Sequence, residues 1–320
     1  MKRWQIIFWA LLAALLAISW FGPRERVDWS ISFAESDLGA ELDAYLARME
    51  GLGRPVQDGL QKEIIWAGAP ETKTALSLVY VHGFAASRGE IGSVVADLAS
   101  ELGANAYYAR LTGHGQGPDG MQAVSANDWI NDAVEAIAIG QRIGDRVVII
   151  TSSLGGTLTA LVASDPFSVQ HVAGFAFLSP NFGLKTYGAG LLGWPFGRVL
   201  APLALGETQT QQGLDGQAAK ARMLVYPTTA LFPVSALVDM ANTLPFETMR
   251  QPAFFAYRSD DPMVDAARTR VISEIWAGPV TYWPLEGQEG GDAALRIGDA
   301  AAKVDPQALT GQLRAWIHGL

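Results

Sequence analysis

Apolar and polar positions along this chain fall into blocks of different period. The first block, WQIIFWALLAALLAISWF at residues 4–21, holds only Gln5 and Ser19 as polar residues. A run of about 18 residues makes a helix roughly 27 Å long, which nearly spans the hydrocarbon of a bilayer. A polar stretch, GPRERVDWSISFAES, leads to a segment whose apolar residues Leu38, Leu42, Tyr45, Leu46 and Met49 share one helical face. Two β-rich runs follow, EIIWAG and ALSLVYVHGF, parted by the Pro-containing turn APETKT. This arrangement predicts an antiparallel pair.

Beyond them strand-like and helix-like segments alternate. NAYYARL reads as a strand; DWINDAVEAIAIGQRIG reads as a helix capped by Asp128, with Trp129, Ala133, Val134 and Ile137 on one face. VVIIT and VAGFAFLSP are further strands, and PAFFAYR and VTYWPL flank a helix carrying Val271, Ile272, Ile275 and Trp276 that stops at Gly278-Pro279. The last helix opens with Asp305-Pro306 and buries Leu309, Leu313, Trp316 and Ile317. Such alternation predicts a mostly parallel central sheet flanked by helices.

Between SPN at 179–181 and Pro252 the alternation breaks for about 70 residues without a strand signal, far beyond an ordinary connection. An inserted helical cap over the ligand-binding end of the sheet is the expectation, with a second packed helical layer as the alternative. The expected organisation is an anchor or signal segment at 1–22, a linker with an amphipathic helix at 23–61, a first core part at 62–181, the cap at 182–251 and a second core part at 252–320.

Composition narrows the function classes. With 320 residues and 49% hydrophobic content, the chain can bury one large core. A net charge of -9 and a pI near 5.0 oppose the counterion release that drives nucleic-acid binding, so nucleic acid is not an expected partner. The absence of cysteine removes disulfides, thiolate metal sites and cysteine nucleophiles. His82, His114, His171 and His318 are too scattered for a metal-ligand spacing, and no Gly-x-Gly-x-x-Gly turn or Walker-type lysine occurs. No metal and no cofactor is expected.

Lys2 and Arg3 precede the apolar block, and Ala17-Ile18-Ser19 offers a weak small-x-small cleavage site. Trp20 and Phe21 just beyond suit an interfacial belt and favour an uncleaved anchor. The expected location is an inner membrane with the body facing the periplasm or exterior; secretion after cleavage is the alternative.

The chemistry gathers at VVIITSSLGGTL, residues 147–158, where a strand turns sharply into a helix at Ser153. A serine hydroxyl is a poor nucleophile at its free pKa, so such a turn must offer it a base and point N–H groups at the developing oxyanion. Two other turns accompany it: Val81-His82-Gly83-Phe84 and Thr112-Gly113-His114-Gly115.

With these three motifs, the chain from about residue 62 to 320 resembles the α/β-hydrolase superfamily, in particular serine hydrolases of the monoacylglycerol lipase and serine aminopeptidase type. A group of bacterial membrane-anchored hydrolases is similar in both anchor and body. The resemblance implies the α/β-hydrolase fold, Ser153 as nucleophile and the amides of Leu154 and Phe84 as oxyanion hole. It selects Asp261 as the triad acid, with Asp260 as runner-up. Thr151 stands where the family's Gly-x-Ser-x-Gly turn has its first glycine, and a β-branched residue there is expected to crowd the corner.

The resemblance also implies a histidine four residues before a Gly-Asp pair. The matching pair is Gly298-Asp299, which puts Ala294 at that position, and EGQEGGDAALRIGDAAAKVD contains no histidine. His171 and His318 are expected at the far end of the sheet. His82 and His114 lie at the correct end but match loops whose histidines are structural. Glu286 or Glu289 would be a weak carboxylate substitute. Removing a triad histidine costs on the order of a million-fold in turnover. Two readings follow: a serine hydrolase of carboxylic esters or amides with small or lipid-like acyl groups, or an inert scaffold that binds such a ligand. Whether Ala294 is natural or engineered is open.

Overall fold

Along the central strands, buried residues alternate between two cores. In β2 (Thr74–Val81) Val79 and Val81 point into one and Leu78 and Tyr80 into the other; in β4 (Gly144–Ser152) Val147 and Ile149 oppose Val148 and Ile150. This period of two, apolar on both faces, marks strands covered by helices on each side. A computed structural model of the chain describes residues 3–185, 192–211, 214, 216–286, 295–297 and 302–320.

In chain order the elements are α1 (Arg3–Phe21), α2 (Leu42–Glu50), β1 (Glu63–Ile65), β2, α3 (Val94–Leu102), β3 (Asn105–Tyr108), α4 (Ala126–Ile143), β4, α5 (Leu154–Ala163) and β5 (Val172–Leu178). An insertion then carries α6 (Gly197–Leu205), β6 (Thr208–Thr210), α7 (Gly216–Lys220), β7 (Val225–Pro227) and α8 (Leu231–Ala241). The chain ends with β8 (Ala253–Tyr257), α9 (Ala266–Ile275), β9 (Val280–Pro284), β10 (Leu295–Ile297), β11 (Ala302–Val304) and α10 (Pro306–Ile317). The seven-stranded sheet has the order β1-β3-β2-β4-β5-β8-β9, parallel except for β1. Helices α2, α4, α5 and α8 pack on one face, α3 and α10 on the other. This is the mostly parallel, helix-flanked sheet that the alternation predicts, and it agrees with the fold that the resemblance implies.

The structure corrects several details. The antiparallel pair expected from EIIWAG and ALSLVYVHGF does not form: β1 pairs antiparallel with β3, while β2 lies between β3 and β4 in parallel. A fully buried apolar strand such as the end of β2 takes two neighbours, whereas the three-residue, half-buried β1 suits an edge. The cap of α4 is Ser125, whose hydroxyl accepts from the Asp128 amide while the Asp128 carboxylate accepts from the Ser125 amide, so Asp128 completes a capping box. Of the four apolar residues expected on the buried face, Ile272 of α9 and Trp276 just past its end join the core, whereas Val271 and Ile275 are exposed. The insertion, expected to lack strands, contains the antiparallel pair β6–β7.

Helix α1 has no buried residue, and among the described residues it is the one helix long and apolar enough to cross a membrane. A membrane anchor and a signal sequence share this form.

The segment before the sheet is held by a buried polar cluster. Lys62 pairs with Glu135 of α4, both side chains 5% exposed, and the Tyr45 hydroxyl of α2 donates to the same carboxylate at 2.6 Å. Breaking one partner of a buried pair leaves the other charge uncompensated. Glu135→Leu is therefore expected to lower stability by about 3–5 kcal/mol, while the double variant Lys62→Met with Glu135→Leu recovers most of that loss in a denaturant titration. Equal losses in both would show that the loss does not come from leaving the buried Lys62 charge uncompensated.

Candidate active site

The site forms where β4 ends. Ser153 has φ 46° and ψ −115°, a left-handed backbone that a serine adopts only when its neighbours enforce it. Its amide donates to Leu178 O at 3.1 Å, and its carbonyl accepts from Gly156 and Asn181 amides at 3.0 and 3.1 Å. Close packing requires glycine after it: a Cβ at Gly155 would sit 2.3 Å from Val81 O. Thr151 fits the corner after all, buried with its hydroxyl donating to Ala176 O at 3.1 Å. Ala85 (φ 50°) and Ser179 (φ 43°), just past β2 and β5, are also left-handed, so backbone strain collects along this one edge.

The loop after β2 packs against the turn. A Cβ at Gly83 would lie 3.0 Å from the Ser153 Cβ, which places the following amide, that of Phe84, beside the serine. Leu154 opens α5, so its N–H has no acceptor within the helix. The Phe84 ring is wedged edge-on against Tyr226 at 4.9 Å and Trp129 at 6.0 Å.

Behind this loop lies Glu90, which sequence reasoning passed over. Its Oε1 accepts from the Gly83 amide and the Tyr80 hydroxyl, both at 2.8 Å, and its Oε2 accepts from Arg222 Nη2 at 2.8 Å. Burial pushes the Glu90 carboxyl up, opposed by the Arg222 charge and the hydrogen bonds from Gly83, Tyr80 and Ser152. Arg222 belongs to the insertion, which also reaches the loop through Ser87 Oγ donating to Ala221 O at 2.7 Å and Met223 N donating to Ala85 O at 2.9 Å. The available signal was a lone glutamate and a lone arginine, each set among small or apolar residues.

Asp261 follows β8, two strand positions and about 10 Å across the sheet from β4. It is buried, and its Oδ1 accepts from the amides of Met263 and Val264 at 2.9 and 3.0 Å. Asp260 is exposed and forked with Arg258 at 2.8 Å through both oxygens, which holds its carboxyl below the usual range. Helix α9 is capped by Asp265, which accepts from the Ala267 and Arg268 amides.

A family model described as "Alpha/beta hydrolase family" matches residues 78–309, more than half of the chain. The chain belongs to the alpha/beta hydrolase family. No curated protein matches it. Among solved structures, this hydrolase is similar to one in work on the metagenome-derived lipolytic enzymes LipS and LipT, with TM-score 0.63 and 19% identity over 83% of this chain and 100% of that one. It is also similar to the monoacylglycerol lipase of Paleococcus ferrophilus (TM-score 0.57, 14% identity, covering 80% of this chain and 97% of that one). A soluble variant of monoglyceride lipase from Saccharomyces cerevisiae, in complex with a substrate analogue, gives TM-score 0.57 at 12% identity over 83% and 94% of the two chains. At such identities the likeness concerns the fold.

The hydrolase's four imidazoles have definite places. The Leu111 amide donates to His82 Nε2 at 3.1 Å, so Nδ1 carries the proton and donates to Gly83 O at 2.8 Å. The Ala85 amide donates to His114 Nε2 at 3.0 Å, and His114 Nδ1 faces Thr112 O at 3.3 Å. Both rings are buried and stacked edge-on at 4.9 Å. Burial pushes His82 down to about 4 and His114 well below its ordinary value, so both are neutral scaffold. His171 precedes β5, whose opposite end receives the Ser153 amide, roughly 20 Å away by strand rise. His318 ends α10, whose Trp316 packs on Gly174 near the start of β5. Glu286 accepts from the Ser259 amide at 2.6 Å; burial raises its pKa, but the Ser259 hydrogen bonds outweigh this and hold it below the usual range. Ala294 and Glu289 lie outside the described residues.

The neutral His82 sets an acid limit on stability. Its folded pKa of about 4 lies below the unfolded 6.5, so the unfolded chain takes up the proton first. The contribution is complete above pH 6.5 and is lost as pH falls through 4, about 3 kcal/mol in all. Calorimetric midpoints should therefore drop with acidification over this window, and His82→Gln should flatten the dependence; an unchanged slope would show that the ring is not held neutral.

Proposed function

We propose that this alpha/beta hydrolase is a membrane-anchored serine hydrolase acting slowly on carboxylic esters with lipid-like acyl groups. The observation that carries this reading is the left-handed turn at Ser153, with Gly83 packed so close that a Cβ on it would lie 3.0 Å from the Ser153 Cβ. Ser153 attacks the acyl carbonyl, and the amides of Leu154 and Phe84 hold the oxyanion of the tetrahedral intermediate. Collapse expels the alcohol and leaves an acyl-serine, which water hydrolyses. Asp261 is the acid, and residues 182–251 act as a cap that supplies the acyl pocket. The lipase and esterase descriptions of the structures it resembles support the substrate class. Helix α1 holds the body at an inner membrane, on its outer side.

The proton of Ser153 is the weak point. The resemblance assigns the base position to Ala294, and the hydrogen bonds of His82 and His114 leave neither ring free to serve. The proton then leaves to solvent base, and turnover falls on the order of a million-fold below that of a complete triad. A second reading, a binding protein that holds an acyl ligand without turnover, is favoured by the same observation.

Two measurements decide. A fluorophosphonate probe should label wild-type protein slowly and Ser153→Ala not at all; no labelling of the wild type favours the binding protein. Ala294→His should raise hydrolysis of a nitrophenyl ester roughly a thousand-fold or more. An unchanged rate would show that the base position lies elsewhere.

A further inference from the structure

Resting on the anchor reading above, we infer that α6 is a second membrane-contact element: its apolar face lies in the lipid interface beside the end of α1. The motive is an apolar row that stands open to solvent. Leu203 is 81% exposed, Val199 64% and Trp194 61%, with Leu200, Phe196 and Leu205 also open. On a soluble surface, scattered apolar side chains need no explanation; a contiguous row on one short helix marks an interaction face.

What covers the row is argued from its position. The residues that lead into α6 are fastened to the end of α1. A Cβ at Gly22, the residue after α1, would lie 2.4 Å from Pro195 Cβ and 3.1 Å from the Phe196 ring, so these two side chains pack on the Gly22 backbone. The Phe196 amide donates to Pro23 O at 2.8 Å. One guanidinium joins both elements: Arg24 donates to Trp20 O at 3.2 Å and to Ser19 O, the last carbonyls of α1, and to Gly193 O at 3.2 Å. Arg198 of α6 forks onto Glu25 at 2.6 and 2.8 Å.

If α1 crosses the bilayer, Trp20 and Phe21 sit at the headgroup level, and these contacts bring Trp194 and Phe196 to the same level. Nine helical residues rise only about 14 Å, so α6 stays within reach of that surface along its length. A lipid interface accepts such an apolar face with basic and aromatic neighbours. The insertion also holds the loop beside Ser153 through Arg222 and Met223, so contact at α6 ties the site's position to the membrane that would carry an acyl ester.

The chain contains no cysteine, so single labels are clean. An environment-sensitive nitrobenzoxadiazole label is placed at Leu203→Cys, at Ala13→Cys within α1, and at Ala315→Cys on the exposed side of α10. Each full chain is reconstituted in vesicles of phosphatidylcholine and phosphatidylglycerol, with or without bromine on the acyl chains. The Leu203 label should be blue-shifted and quenched about two-fold by brominated lipid, the Ala13 label as much or more, and the Ala315 label not at all. Quenching at Ala13 but not at Leu203 overturns the proposal and leaves the anchor standing. A blue shift at Leu203 without lipid quenching means that protein covers the face, and also overturns it. Loss of quenching at both sites removes the anchor and this proposal together. None of these readouts depends on Ser153, so they stand apart from the hydrolase reading. Replacing Glu25 and Arg198 together by alanine should reduce the Leu203 quenching and leave that at Ala13 unchanged.

Discussion

Two buried imidazoles hold the site in shape. His82 and His114 each accept a backbone N–H, from Leu111 and Ala85, and His82 returns its own proton to Gly83 O. These bonds exist only while the acceptor nitrogens are unprotonated, and burial keeps them so. The loop that places Gly83 against Ser153 is therefore built on neutral rings. A ring committed to the backbone through both nitrogens cannot also take a proton from Ser153.

The same loop is held from behind by a carboxylate. Glu90 gathers Gly83 from the loop, Tyr80 from β2 and Arg222 from the insertion around one buried charge. Such a charge is tolerable only when fully paired, since its desolvation is repaid by partners alone. The arrangement makes the insertion's placement and the loop's geometry interdependent. Strain at Ala85, Ser153 and Ser179 is supported by this packing. Helix α1 enters the same assembly through Arg24 and Glu25, which link its end to the insertion.

Much of this was legible in the sequence, for identifiable reasons. The alternation of strand-like and helix-like runs predicted the parallel sheet, and Leu309, Leu313, Trp316 and Ile317 of α10 are buried where their spacing put them. The Ser153 turn could be read because close helix–strand packing requires glycine at 155. Strand neighbours were less legible: EIIWAG pairs with β3 rather than β2, since pairing across a sheet depends on contacts distant in sequence. Asp128 was mistaken for a cap because a capping box places an acid three residues inside the helix as well as a hydroxyl at its edge. Glu90 and Arg222 were missed because 132 positions separate them, and nothing local marks either as the other's partner.

The most direct test of the account is the pH dependence of Ser153 acylation by a nitrophenyl ester, followed in a single turnover. With solvent base as proton acceptor, the logarithm of the rate should climb steadily with unit slope from about pH 6 to about pH 9, without an inflection near the imidazole range. A sigmoid that levels off above a midpoint near the ordinary histidine pKa would contradict the account, because it would mean that an imidazole is taking the serine's proton.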